Sequence, residues 1–333
     1  MMVPGALRVL AAVSACAAAL VACGGSHHAP PTTSAGTPSA SAPTPRVDPL
    51  TGGSPSNHSV VAVKIDDTAA GRPQVGIDAA DLVYVEQVEG GLTRLLAVYD
   101  TRLPVVAPVR STRVGDTELA AQFGPIDYVA SGGSQGELAP LDASKLRTAI
   151  GDRGAAGFGR DPNRRAPFNL TANLAAIAAR LNGPKATSIG LAWSRQLVNA
   201  GTRPGAVVDT RVGTTRVVFD WNAKLRRYVR VIDGAVQHAA DGAVIATPNV
   251  VVQFCQVTTF LGDIDQSGNP AKVTHTVGQG RVAVFRDGHR IDGTWRRSSA
   301  GDGTHLTDAQ GRPIGLAPGG AWFVLAAIGA PLG

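Results

Sequence analysis

The chain has 333 residues, with 31 Lys or Arg against 25 Asp or Glu, for a formal net charge of +6. The basic residues are scattered, only 5% of residues are aromatic, and the chain opens on an export-type segment, which together exclude nucleic-acid binding as a function class. Of three cysteines, two fall within the first 23 residues, so a processed, exported chain has no pair left for an intrachain disulfide.

Residues 1–22 hold one basic residue, Arg8, and then an apolar run over 9–22. This is the pattern of a secretory signal peptide, too short to span a bilayer as a helix. It ends Leu20-Val-Ala-Cys23-Gly24, which resembles a bacterial lipobox. The resemblance implies acylation of Cys23 with palmitate-type chains and cleavage ahead of it. The chain would then hold membrane lipid through Cys23, on the outer face of the cell membrane. Residues 23–47 are a Pro-, Ser-, Thr- and Ala-rich linker with almost no charge, a composition that cannot bury enough apolar surface to order itself. His27-His28 within it read as incidental rather than as metal ligands.

The remainder is long enough for two domains. Residues 48–200 mix strands with helices. A strand is expected over 60–65, a helical turn over 78–81, and a hairpin from runs 82–89 and 92–99 around Gly90-Gly91. A two-residue turn there sets Glu89 opposite Leu92, Gln87 opposite Arg94 and Val85 opposite Leu96. Glu86 and Glu89 then face opposite ways, and Glu89 lies diagonal to Arg94. Apolar spacing predicts helices over 115–123, 143–150 and 171–181, and a strand over 127–131. Residues 205–333 change texture to short strands with regular turns, over 217–222, 228–231, 244–247, 249–257, 281–285, 290–295 and 321–325. An Asp287-Gly288 hairpin turn lies among them. The expected class is therefore α+β, an N-terminal mixed α/β domain followed by a smaller β-rich one. Trp221, Trp295 and Trp322 read as core anchors, and Cys255, inside an apolar run, as a buried inert thiol.

Three constellations could carry chemistry. Asp66, Asp67, Glu86 and Glu89 with Arg94, Arg110 and Arg113 read first as a salt-bridge network at the end of the hairpin. The planar arginine forks also suit a carboxylate or phosphate group of a ligand or partner, and paired carboxylates could act on a glycan. Gly132-Gly-Ser134-Gln-Gly136 has the spacing of a nucleophile elbow, although no later histidine sits in a telling context, and it equally suits an anion-cradling backbone loop or a plain turn. The basic loop over 160–168 could form the rim of an anion site if folding brought it near Arg110. Asp263, Asp265 and Asn269 have the texture of a calcium loop but lack its closing glutamate, so neither a metal centre nor a cofactor is expected.

Several blocks carry a family resemblance: Ala62-Val-Lys-Ile-Asp66, Arg72-Pro-Gln74 with Gly76, Ala80-Asp81, Tyr84, Glu89-Gly-Gly-Leu-Thr-Arg94, Pro108-Val-Arg-Ser-Thr-Arg113, Gly132-Gly-Ser134 and Ala166-Pro-Phe-Asn-Leu170. Together they resemble the YerB-like lipoproteins, whose two domains are of unknown function. Phe168 departs from the family pattern, which has histidine there. The resemblance implies an envelope lipoprotein linked to cell-wall synthesis enzymes, without an established reaction. The resulting expectation is a membrane-anchored, non-enzymatic binding or accessory factor whose partner is a wall-synthesis protein or wall glycan. The alternatives are a wall hydrolase or transferase using Glu89, Asp66 or Ser134, and a small-anion binding protein.

Overall fold

A strand that is apolar at nearly every position needs a sheet covered on both faces. Val61–Asp66 reads Val-Ala-Val-Lys-Ile-Asp, and Leu82–Gln87 and Thr93–Tyr99 are almost as apolar. A computed structural model, describing residues 47–333 except 200 and 266, places these three at the heart of a 12-stranded sheet. Cys23, the signal segment and the linker lie outside the described residues. The sheet path is Arg203–Pro204, His289–Arg297, Gly278–Arg286, Asn249–Ile264, Ala321–Ala327, Leu82–Gln87, Thr93–Tyr99, Val61–Asp66, Asp127–Ala130, Arg147–Ile150. Pro270–His275 and His305–Asp308 pair off this path. The two sequence halves share this sheet, because Ala321–Ala327 lies parallel between Asn249–Ile264 and Leu82–Gln87.

Among the described residues the fold is mostly β, with 44% strand and 13% helix. Apart from 3-10 turns, the helices among the described residues are α1 (Val114–Ala120) and α3 (Leu174–Leu181), which overlap the expected 115–123 and 171–181, and α2 (Gln135–Asp142), which no expectation covered. One face of the central sheet carries Val63, Val83, Val85, Leu95 and Ala97. These pack with Phe219 and Tyr228 of a second, five-stranded sheet and with Leu174 and Ile177 of α3. The opposite face carries Ala62, Tyr84, Leu96 and Val98, against Leu119, Phe123 and Leu141 from α1, the turn after it and α2. Each fully buried Val, Leu, Ile or Phe among these stabilises the fold by about 1.5–3 kcal/mol.

The central hairpin corrects the expected register. Its strands are joined by three residues, Glu89, Gly90 and Gly91, and Val88 N donates to Leu92 O at 2.9 Å. Gly90 (φ 64°) and Gly91 (φ 74°) both lie in the left-handed region. Gly91 is closed in as well, since a Cβ there would stand 2.7 Å from Thr214 Oγ1. The third loop residue shifts every pairing by one: Glu86 faces Arg94, Gln87 faces Thr93 and Val85 faces Leu95. Glu89 is consequently not the diagonal partner of Arg94.

Two helix expectations also change. Within 143–150, Arg147–Ile150 is a parallel strand beside Asp127–Ala130, where edge pairing overrides local helix propensity. Residues 171–173 belong to strand Leu170–Asn173, and Asn173 then caps α3 by accepting Ala176 N at 3.0 Å. The predicted strand over 244–247 shortens to Ala246–Thr247, whereas the other predicted strands of the second half form. The hairpin turn at Asp287 (φ 50°) and Gly288 (φ 75°) forms as expected. Trp295 and Trp322 are buried and Trp221 packs on the core. Cys255 is buried, and burial pushes its thiol up to about 12, so it is unreactive.

Candidate functional site

The segment Pro108-Val-Arg-Ser-Thr-Arg113 runs across the ends of the central strands. Arg110 N donates to Lys64 O, Ser131 N to Arg110 O and Thr112 N to Gly132 O, each at 2.9 Å. It therefore delivers Arg110 and Arg113 to the face of the sheet where Lys64, Asp66, Glu86 and Arg94 point. α1 begins directly after it. Asp116 in its first turn accepts Arg113 N at 2.7 Å, the favoured place for a carboxylate at a helix start.

The deepest part of the cluster is Lys64, fully buried because its strand is covered on both faces. Its Nζ lies 2.5 Å from Asp116 Oδ1 and 3.1 Å from Glu86 Oε1. Asp116 Oδ2 also accepts Tyr128 OH at 2.7 Å and Thr112 Oγ1 at 3.1 Å. Burial alone would raise Asp116, but Lys64 and Tyr128 outweigh it and hold the carboxyl below its ordinary range. Glu86 has fewer partners. Burial pushes it up to about 8, against the pull of Lys64 and with Asp116 adding to the rise. At neutral pH Lys64 and Asp116 form the ion pair and Glu86 is largely protonated.

Arg113 binds the next layer. Its Nε donates to Glu89 Oε2 at 2.8 Å, Nη2 stands 2.6 Å from the same oxygen, and Nη1 lies 2.8 Å from Glu137 Oε1. Ser134 is the N-cap of α2: Glu137 N donates to Ser134 Oγ at 3.2 Å and Ser134 N to Glu137 Oε2 at 2.8 Å. The nucleophile-elbow spacing is thus a helix cap. The Ser-x-x-Glu signature that shows this stands in the sequence at Ser134-Gln-Gly-Glu137. Burial pushes Glu137 up to about 7, opposed by Arg113 and assisted by Asp263 and Glu89.

The outer layer faces solvent. Arg110 Nη1 donates to Asp66 Oδ2 at 2.8 Å, and its guanidinium carbon lies 5.1 Å from the centre of the Phe168 ring. The basic loop does come to Arg110, as Arg164 anchors it on Gly71 O and Pro73 O. Arg94 is different. Its Nη1 donates to Ser111 O at 3.3 Å, and among the described residues it has no carboxylate within 4.0 Å. Burial, with Arg113 and Arg110 close by, pushes Arg94 down to about 10, still fully charged at neutral pH.

The structure thus gathers Asp66, Glu86, Glu89, Arg94, Arg110, Arg113 and Ser134 at one end of the sheet. Asp67 goes to the opposite face, where Arg230 Nη1 and Nη2 grip its two oxygens at 2.8 Å each. Sequence reasoning missed Lys64, Asp116, Tyr128, Glu137 and the approach of Asp263. Only Lys64 (a charge inside the apolar run Val61-Ala-Val-Lys-Ile65) and Glu137 (the capping box) left a local signal. A separate cleft of about 960 Å³ is lined by Ser54, His58, Asp81, Arg227 and Trp322 among others. Of its two carboxylates, Asp78 and Asp81, the latter is spent on Asp100 N at 2.6 Å and Thr101 N at 2.8 Å.

Comparison with known proteins supplies the relationship. Residues 50–187 match the family model described as "Protein of unknown function (DUF3048) N-terminal domain", and residues 208–323 match the corresponding C-terminal domain. YerB of Bacillus subtilis (strain 168), a protein provisionally named as a lipoprotein, is 27% identical over 273 residues, spanning 79% of this chain and 80% of its own. The crystal structure of YerB from Bacillus subtilis superposes with a TM-score of 0.72 at 23% identity, over 86% of this chain and 99% of that one, which establishes a shared fold. With both halves matched in order and the fold in common, the chain belongs to the YerB-like, DUF3048 family.

Proposed function

We propose that the chain is an extracytoplasmic lipoprotein, anchored through acylated Cys23, that acts without catalysis as a binding or accessory factor in cell-wall synthesis. Arg94 takes an anionic group of its partner. The relative's name supports the lipoprotein assignment, and the lipobox-like Leu20-Val-Ala-Cys23 supplies the residue. The observation that carries the binding reading is the inequality among the three arginines. Arg110 and Arg113 are neutralised by Asp66 and Glu89, while Arg94, half-buried between them, has a fork without a carboxylate among the described residues. A desolvated fork of that kind favours a carboxylate or phosphate oxygen pair. The hydrolase reading has less to rest on, since the Ser134 hydroxyl is spent on its helix and Asp66 and Glu89 are held in ion pairs.

The test is in-cell photo-crosslinking from position 111, beside Arg94, in the full chain. A discrete wall-synthesis protein or wall glycan fragment should be captured. Arg94→Gln should reduce capture and the affinity for the captured molecule by about 10- to 150-fold, the equivalent of a charge-assisted contact of about 1.5–3 kcal/mol. Capture that survives both Arg94→Gln and Arg110→Gln would overturn the proposal.

A further inference from the structure

Beyond the arginine site, three carboxylates from distant parts of the chain converge. Glu89 comes from the hairpin loop, Glu137 from the first turn of α2, and Asp263 from the far end of strand Asn249–Ile264. One oxygen from each lies within 4.8 Å of the others. The backbone is built to bring them together. A Cβ on Gly136 would stand 3.3 Å from Gly262 O, and one on Gly90 3.6 Å from Asn269 Nδ2, so the strand end just before Asp263 lies against the helix start and Asn269 lies against the hairpin loop. Asp265 shapes that loop by accepting Ser267 N and Asn269 N at 2.8 Å each.

A second observation points to a ligand. Glu89 is only 6% exposed, yet its Oε1 has no hydrogen-bond partner among the described residues. Arg113 occupies Oε2 and leaves Oε1 bare. Glu137 Oε1, also buried, contacts Arg113 Nη1 at 2.8 Å but without hydrogen-bond geometry. One guanidinium therefore stands against three carboxylates, and a bare buried carboxylate oxygen is costly.

We infer that Glu89, Glu137 and Asp263 form a divalent-cation site that takes Ca²⁺. The donors are all carboxylate oxygens, with neither His nor Cys, which selects a hard cation over zinc or copper. Oxygens within 4.8 Å of one another can share one ion, and Ca²⁺, which accepts irregular all-oxygen shells at about 2.3–2.6 Å, suits three carboxylates from separate elements better than Mg²⁺, which needs near-octahedral geometry at about 2.0–2.1 Å and keeps several of its waters. The acidic loop 263–269 lacks a glutamate of its own, and the fold supplies two from elsewhere. With three protein carboxylates and a resident arginine the affinity belongs to the weak class of extracellular calcium modules, with Kd on the order of 10⁻⁴–10⁻³ M.

The experiment is calorimetric titration of the full chain, in detergent micelles, with CaCl₂ and separately with MgCl₂ at constant ionic strength. Asp263→Asn is the informative variant, because the Asp263 side chain makes no hydrogen bond or ion pair among the described residues and removing its charge from the carboxylate cluster should not lower the calcium-free melting temperature. The expected result is saturable 1:1 Ca²⁺ binding by the unsubstituted chain, weakened at least about 10-fold in Asp263→Asn. Absence of saturable Ca²⁺ binding up to about 10 mM, far above that Kd range, would overturn the inference. Unchanged binding by Asp263→Asn, or tighter binding of Mg²⁺ than of Ca²⁺, would overturn it too.

Discussion

Lys64→Met isolates a fully buried electrostatic element of the fold. The methionine fits the volume of the lysine stem, so the substitution removes charge more than packing. Lys64 is fully buried and holds Asp116 at 2.5 Å and Glu86 at 3.1 Å. The two carboxylates respond differently to its loss. Glu86, already pushed up to about 8 by burial, stays protonated at pH 7 and adds little. Asp116 keeps Tyr128 OH, Thr112 Oγ1 and Arg113 N on Oδ2, but its Oδ1 is left in the core without a cation. Breaking a buried pair from one side costs about 3–5 kcal/mol, and nearly all of that should fall on Asp116. Urea unfolding at pH 7, followed by tryptophan fluorescence, measures it. Lys64→Met should lower the unfolding free energy by about 3–5 kcal/mol, and adding Asp116→Asn should restore more than about 1 kcal/mol. Adding Glu86→Gln instead should restore almost nothing. A Lys64→Met cost below about 1 kcal/mol, or equal rescue by the two second-site changes, would refute the assignment of charge to Asp116.

Glu86 itself gives a pH signature. Its folded pKa of about 8 lies above the ordinary 4.5, so between those values the unfolded chain has released the proton and the folded chain has not. Stability contributed this way is present below about pH 4.5 and is lost as pH rises toward 8, a change on the order of a few kcal/mol. Urea midpoints at pH 5, 6.5 and 8 should therefore fall more steeply for the unsubstituted chain than for Glu86→Gln, and parallel profiles would contradict this. Ser134→Ala should cost about 1 kcal/mol through loss of the α2 cap, with crosslinking from position 111 unaltered. Loss of the partner with stability intact would instead make Ser134 a contact residue.

The central strands were legible because burial on both faces leaves an apolar residue at nearly every position, a pattern independent of partners. The register of the hairpin was not, because it turns on whether two or three residues close the loop, and Glu89-Gly90-Gly91 permits both on composition. One residue there moves Glu86 opposite Arg94 and releases Glu89 to Arg113. Contacts across long separations leave no local trace at all. Asp67 and Arg230 are 163 positions apart and meet only because the second sheet covers the central one. The 263–269 loop read as an incomplete calcium loop for the same reason, since Glu89 and Glu137 arrive from other elements.

Phe168 shows how one departure from the family pattern bears on the site. The resemblance leads to histidine at this position, and the fold puts position 168 against Arg110, which is held by Asp66. A histidine there would add a group whose charge changes near pH 6.5 and which could compete for Asp66. Phenylalanine offers Arg110 the face of its ring instead, a contact of about 0.5–1 kcal/mol at a partly exposed site. It keeps Arg110 paired with Asp66 and adds no titrating group. Arg94, the arginine of this cluster without a carboxylate partner among the described residues, holds its charge up to about pH 10. Under the proposed function, then, the anion-binding surface would be one of fixed positive charge, and recognition would depend on how a carboxylate or phosphate fits the fork of Arg94 rather than on a proton gained or lost by the protein.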